Sequence, residues 1–269
     1  MKKLATALVS AAAIMTMSTT AFAAENPAEV FDRVMEKNNT IQSAEIQSGV
    51  HSVILAKDVI PDGQMKVDMA MHAEMDMQDT TDLKSLAQVA SSILGQDSYS
   101  QVFYTDGYYY VDANGVKLKY PMPLEQIISS VQTGVNTSNM ESSYMKGISL
   151  NEVNGKRVLA YEANPKKLNK NVKEALGTVM NTLGTDINLD MNIQEMKGAY
   201  VLDDNDYIIY MTNYIVYNME VLDQPMTCIT LMETEVQNPG EPVVVTLPST
   251  DGYEDLIGLY DGVIESEVE

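Results

Sequence analysis

The sequence predicts an α+β protein made mainly of one strongly curved antiparallel β-sheet, covered by a few helices. Three observations carry this prediction: long stretches that alternate apolar and polar residues, Asp-Gly and Asn-Gly dipeptides between them, and a few segments with helical periodicity. No repeat of solenoid length and no Gly/Ser-rich linker divides the chain. We therefore expect a single domain whose helices cover the apolar face of its sheet.

The clearest strand pattern lies at residues 64–78. The odd positions there are apolar and the even positions are mostly polar or charged, which is the period of a strand with one apolar face. At about 3.3 Å per residue this strand would span roughly 40 Å, a length typical of large curved sheets or barrels. Ordinary core packing would also explain such a stripe. The residues predicted to line an apolar cavity are Met65, Val67, Met69, Met71, Met75 and Met77.

The remaining elements follow from periodicity and from helix and strand breakers. A first helix is predicted at Pro27–Asn38, with Asn26 as its N-cap. Further helices are predicted at 83–94, where Gly95 would end the helix, and at 124–131 and 165–183. Strands are predicted at 41–57, 99–105, 108–112, 116–120, 143–153, 156–163, 187–202, 207–222, 226–236 and 243–247.

Residues 1–23 are predicted to be a cleavable signal peptide. Lys2 and Lys3 precede an apolar run at 4–17, and the small residues Ala21 and Ala23 mark a cleavage site. No Cys directly follows the apolar run, so a lipid anchor is not expected. Residues 247–250 (LPST) are similar to the start of a sortase signal, but the rest of the signal does not follow, so wall attachment is not expected either. We expect a secreted, extracytoplasmic protein with no transmembrane segment after cleavage. One domain would occupy 24–248, and an acidic tail would follow at 249–269.

The chain is strongly acidic. Signal cleavage would remove two of its 17 basic and none of its 38 acidic residues, which leaves a formal net charge of −23. Such a charge repels polyphosphates, so nucleic acid is not an expected partner. Cys228 is the single cysteine, and its apolar surroundings favour a buried inert thiol over a nucleophile.

No pattern of catalytic or cofactor-binding residues stands out. The chain has no serine-hydrolase, phosphate-loop or dinucleotide motif, and its two histidines, His51 and His72, have no recognisable catalytic partner. His72 with Glu74 and Asp76 could form only a weak metal site, and a solvated strand face is favoured. The acidic cluster at 203–206 lacks the Gly and the distant Glu of an EF-hand, so a hairpin turn is expected. We therefore expect no enzymatic activity, no cofactor and no metal.

Three stretches resemble a known family. They are residues 103–122 (FYTDGYYYVDANGVKLKYPM), 198–220 (GAYVLDDNDYIIYMTNYIVYNME) and 246–248 (TLP). The order of helix, long strands, hairpins and final meander makes the chain similar to lipoprotein carriers of LolA/LppX type. It resembles more closely their uncharacterised relatives exported by Gram-positive bacteria. The resemblance implies an open half-barrel with a helical lid over an apolar cavity and no enzymatic activity. Characterised members carry acyl chains or lipoproteins, but this sequence lacks the anchoring Cys of the lipoprotein members.

Two functions remain open from the sequence. The first is a binding protein for an apolar or amphipathic ligand, a lipid or acyl chain, held between the curved sheet and its helices. The alternative is a cell-surface structural or protein-interaction module with no small-molecule ligand, in which a surface protein contacts tyrosine-rich strands or the tail. The contact candidates for this alternative are Tyr108, Tyr109, Tyr110, Tyr207, Tyr210, Tyr214 and Tyr217.

Overall fold

The computed structural model describes residues 25–56, 60, 62–79, 83–123, 140–170, 191–221 and 224–256. The predicted signal peptide at 1–23 and the predicted helix at 124–131 lie outside these ranges. A helix begins at Pro165, as predicted, and is described as far as Lys170.

Besides the helical residues 165–170, the described part of the chain forms one complete α-helix, a short 3-10 helix and twelve strands. Helix α1 spans Pro27–Asn38, and the 3-10 helix, Ser142–Tyr144, precedes β7. The strands are β1 (Ser43–Leu55), β2 (Gln64–Asp76), β3 (Lys84–Ile93), β4 (Gln96–Thr105), β5 (Tyr108–Ala113), β6 (Val116–Pro121), β7 (Met145–Val153), β8 (Lys156–Ala163), β9 (Met191–Leu202), β10 (Ile208–Val221), β11 (Gln224–Gln237) and β12 (Glu254–Asp255).

All twelve strands belong to one open, curved sheet in the order β12-β6-β5-β4-β3-β2-β1-β11-β10-β9-β8-β7. Every neighbouring pair is antiparallel except β12 and β6, which run parallel. Strands β1–β6 form one meander and β7–β11 form another, and the pairing of β1 with β11 joins them. The predicted fold class is confirmed.

Helix α1 packs on one end of this sheet. Its N-cap is Asn26, whose side chain accepts a hydrogen bond from the N–H of Ala28, as predicted. Val30, Phe31 and Val34 recur at helical spacing and are buried against β7–β10. Because burying an apolar side chain of this size contributes roughly 1.5–3 kcal/mol, these three side chains fix the helix to the sheet.

The predicted helix at 83–94 is wrong, because Lys84–Ile93 forms strand β3. This strand lies between β2 and β4 and has apolar side chains on both faces of the sheet. Leu86 packs against Phe103 on one face, and Val89 lies on the other. Apolar residues on both faces remove the simple alternation of a half-buried strand, so their spacing coincides with that of a helix.

After β11 the chain crosses the face of the sheet opposite α1. We call residues 240–255 the C-terminal strap. The predicted strand at 243–247 is wrong, since the N–H groups of Val243 and Thr246 donate to side chains of β1 and β2. Both of these strands already have a neighbour on each side, so neither has a free edge to offer.

The end of the strap is held by an aromatic cluster. Phe103 and Tyr110 stack with their ring centroids 4.6 Å apart. The buried ring of Tyr253 stands edge-on to both, at 5.6 and 5.1 Å. Edge-to-face contacts of this kind contribute about 0.5–1.5 kcal/mol beyond the burial of area, so Tyr253 anchors the strap.

Candidate functional site

The odd-numbered residues of β2 point to the same side of the sheet. We call this side the methionine face and the opposite side the charged face. Directly opposite residues of antiparallel neighbours share a face. The register therefore assigns the residues of each strand to one of the two faces. Met77, just after β2, packs on Leu83 and Tyr104 at the lower end of the methionine face. The structure thus brings the six predicted site residues to one side of the sheet, and their contact with a ligand stays a prediction.

Neighbouring strands widen this surface on both sides of β2. Val50 of β1 lies between Met69 of β2 and Met232 of β11, and Val89 of β3 lies beside Met71. These flanking residues were missed from the sequence. A signal for β1 existed, because its even positions are apolar or hydroxyl-bearing whereas most of its odd positions are polar.

Charge is distributed very unevenly between the two faces. The register of β1–β6, β10 and β11 places no charged side chain of these described strands on the methionine face. Each of the same eight strands places at least one on the charged face: Glu45, Lys66, Lys84, Asp97, Asp112, Lys117, Glu220 and Glu233. The methionine face is therefore charge-free over eight strands of an acidic protein.

Several hydroxyl groups on the methionine face bond to one another. The hydroxyls of Ser48 and Thr234 are 2.8 Å apart, and those of Ser52 and Thr230 are 2.9 Å apart. A hydroxyl pair made across two strands leaves less hydrogen-bonding capacity for water or a ligand. Where these pairs lie, between β1 and β11, an apolar molecule can cover the face with little loss of hydrogen bonding.

A buried polar group marks the boundary between the part under α1 and the open part of this face. The hydroxyl of Tyr161 donates to Asn213 Oδ1, directly over Gly198, where no Cβ would fit. The ring of Tyr200 stacks on Tyr161 at 5.1 Å. Burial raises the pKa of Tyr200 to about 12.

The part of the methionine face around β2 and β3 is open to solvent. Met69 is 39% exposed and Ile93 42% exposed. A cleft of about 330 Å³ lies beside α1 and is lined in part by Asp32 and Met35. Another, of about 290 Å³, lies at the start of β2. Neither of these two clefts is lined by the six predicted residues.

Both histidines lie on the charged face among carboxylates. His51 Nδ1 is 2.7 Å from Asp68 Oδ1, and His72 Nε2 is 3.2 Å from Glu74 Oε1. The other oxygen of Glu74 accepts the N–H of Thr246 from the strap. No group of three or more potential metal ligands occurs within the described part of the chain.

The contacts of Cys228 and of the acidic turn at 203–206 indicate structural roles for both. Cys228 is buried on the methionine face, and burial raises the pKa of its thiol, which disfavours the reactive thiolate. The acidic turn at 203–206 connects β9 to β10, as predicted. There the carboxylate of Asp203 accepts the N–H groups of Asn205 and Tyr207, both at 2.8 Å.

The tyrosines considered for protein contact do not share one surface. Tyr109 and Tyr217 lie on the methionine face, whereas Tyr110 and Tyr210 lie on the charged face. Tyr210 donates to Glu233 Oε1 at 2.7 Å, and burial with this carboxylate raises the Tyr210 pKa far above its ordinary value. Tyr110, which stacks on Phe103, and Tyr210 thus already have partners within the sheet.

The fold and site together define a class of protein: an open, mainly antiparallel sheet with one apolar face that carries no charge over eight of its described strands. The chain belongs to a family of unknown function (DUF6612), whose model matches residues 26–248. No helix among the described residues is long and apolar enough to cross a membrane.

Several solved structures are similar to this chain. LprF from Mycobacterium bovis is 10% identical, with a TM-score of 0.36 and coverage of 83% of this chain and 97% of that chain. The lipoprotein LppX from Mycobacterium tuberculosis is 9% identical, with a TM-score of 0.36 and coverage of 82% and 100%. The ywiB protein from Bacillus subtilis is 11% identical, with a TM-score of 0.24 and coverage of 76% and 99%. No curated protein matches the chain.

Proposed function

We propose that this chain is a non-enzymatic binding protein for an apolar or amphipathic ligand, a lipid or acyl chain, that lies on the methionine face. The observation that carries the proposal is the charge distribution. Eight strands keep every charged side chain on the other face, in a chain whose formal net charge is −21. A large apolar surface that is open to water is typical of a binding site.

The chemistry of the face suits a flexible hydrocarbon. Methionine side chains are unbranched and polarizable, so they repack around chains of different shape. Ten methylene groups moved from water to this face would contribute about 8 kcal/mol before the cost of ordering the ligand and the face. No cation on these eight strands faces this surface, so the part of the ligand lying there is uncharged.

The proposal also covers the location and the mature form of the protein. Removal of residues 1–23 would release a secreted protein with one binding domain at 24–248 and an acidic tail at 249–269. It would act without cofactor or metal, because binding needs neither.

Two substitutions in β2 test the proposal. Met69→Asp and Met71→Asp each place a carboxylate on the methionine face, where a bound hydrocarbon would have to desolvate it. We expect each variant to lose its bound ligand, at least tenfold in occupancy. The measurement is native mass spectrometry with organic extraction on residues 24–269 purified from an exporting host.

Ala70→Asp is the matched control. Ala70 lies between the two methionines and points to the charged face, so the same carboxylate should leave ligand binding unchanged. The proposal fails if both methionine variants keep the wild-type ligand. It also fails if the wild-type protein carries no ligand and takes up neither fatty acids nor phospholipids.

A further inference from the structure

Exposed apolar side chains gather at the end of the sheet where β1 meets β2, β3 meets β4 and β5 meets β6. Leu94 is 70% exposed and Val116 61% exposed, and Leu55 and Ile93 are also exposed. We call these four residues the apolar rim. They lie at the ends of strands or in the turns between them, away from the helix α1 contact.

The register shows that these turns follow one line. Projected onto β2, the rim residues of β1, β3 and β6 lie level with Gln64, Val67 and Met71. From β1 to β3 the rim moves two strands sideways, about 10 Å, and three residues along β2, about 10 Å. From β3 to β6 it moves three strands sideways, about 14 Å, and four residues along β2, about 13 Å. The line therefore crosses the strands at about 45°, close to the tilt that strands have in barrels. Strands tilted in this way bring staggered turns to one rim.

The turn at the centre of the rim has an unexpected residue. Leu94 has φ 52° and is followed by Gly95 at φ 77°, so it matches the turns led by Asp106, Asn114 and Asn154. Asn and Asp tolerate positive φ far better than leucine does. Leu94 thus carries both a backbone cost and the cost of an exposed apolar side chain. The stability of the fold therefore gains nothing from a leucine at this turn.

We propose that the apolar rim contacts the surface of a lipid bilayer without net charge, with Leu94 inserted at the boundary between the headgroups and the acyl chains. This inference rests on the proposed function, because Ile93 and Val116 continue the methionine face to the rim and a ligand could pass there. Residues 89–96 carry no charge, and the cleft that Leu94 lines has charges of both signs, Asp62, Lys66 and Asp68. The net charge of the protein disfavours anionic surfaces.

The area of the rim favours a bilayer over a protein partner. A stable protein interface buries about 800 Å² on each partner. Even a large aromatic side chain buries no more than about 250 Å². Four partly exposed aliphatic side chains therefore fall well short of a protein interface. Shallow insertion of a few apolar side chains is how interfacial segments bind a bilayer.

Tryptophan reporters test this contact, because the chain has no Trp. Leu94→Trp emission should shift to shorter wavelength when phosphatidylcholine vesicles are added. Val244→Trp is the control, since Val244 is 88% exposed on the strap and distant from the rim. The proposal is overturned if vesicles shift neither emission, if they shift both equally, or if Leu94→Trp shifts only with protein concentration.

A second variant separates this inference from the proposed function. Leu94→Asn copies the residue of the other turns, so it should keep or raise stability while vesicle flotation falls roughly tenfold. It should also keep its bound ligand, because the methionine face around Met69 is unchanged. Undiminished flotation of Leu94→Asn would overturn the membrane contact alone. A chain without ligand that still shows the Leu94→Trp shift would refute the proposed function alone.

Discussion

Gly198 lies in β9 where strand β10 approaches too closely for any side chain. A Cβ at this position would lie 2.5 Å from the carbonyl oxygen of Thr212, 2.5 Å from Asn213 Oδ1 and 2.8 Å from the Tyr161 hydroxyl. Contacts of Cβ below 3.0 Å are essentially never observed. Because the Thr212 oxygen belongs to the backbone of the neighbouring strand, Gly198→Ala would force β9 and β10 apart.

The cost can be worked out from these contacts. Overpacking a well-packed site costs about 1–3 kcal/mol, and loss of the Tyr161–Asn213 hydrogen bond would add about 1 kcal/mol. We therefore expect Gly198→Ala to lower the free energy of unfolding by about 2–4 kcal/mol. For a chain of this size the melting temperature would fall by roughly 5–15 °C.

Gly49→Ala is the matched control for this substitution. Gly49 also lies inside a central strand, β1, but a Cβ there would meet nothing within 4 Å. We expect no loss of stability, and a gain of up to about 1 kcal/mol because alanine restricts the unfolded chain. The assay is urea unfolding followed by far-ultraviolet circular dichroism. If Gly198→Ala unfolds at the same urea concentration as the wild-type protein, the close approach of β9 and β10 is wrong.

Two further predictions concern buried tyrosines. The pKa of Tyr200 is raised from 10.0 to about 12, so the stability from its protonated form is complete below pH 10 and is lost as the pH rises to about 12. The urea midpoint should fall across that interval, less steeply in Tyr200→Phe, and an identical fall in both proteins would contradict the assignment. Tyr253→Ala should lower the free energy of unfolding by about 3 kcal/mol in the same urea assay, whereas exposed Glu254→Ala should not. Equal midpoints for these two variants would show that the strap end does not stabilise the domain.

The contrast between β2 and β3 shows how much of the fold a sequence can predict. Strand β2 has apolar side chains on one face and mostly polar or charged ones on the other, so its alternation is visible locally. Strand β3 has apolar side chains on both faces, and its pattern then depends on the strands beside it. Leu86 packs against Phe103, which lies on the neighbouring strand β4. The local periodicity of residues 83–94 contains no information about this neighbour.

The candidate site was predictable to a similar extent. The methionines of β2 could be assigned to one face from their period alone. The contribution of β11 could not, because its place beside β1 is set by pairing between distant parts of the chain. The hydroxyls of Ser48 and Thr234 become partners only through that register. The sequence shows them as two unrelated polar residues.

The pairing of β1 with β11 also governs how the chain can fold. Each meander can form from segments that are close in sequence, but this junction joins residues as far apart as Glu45 and Gln237 through eleven residue pairs. Closing so large a loop is entropically costly, and contacts of long sequence separation slow folding. Until the junction forms, both strands are open edges that another chain can pair with. The step that makes the methionine face continuous is therefore also the step at which an unfinished chain is most prone to aggregate.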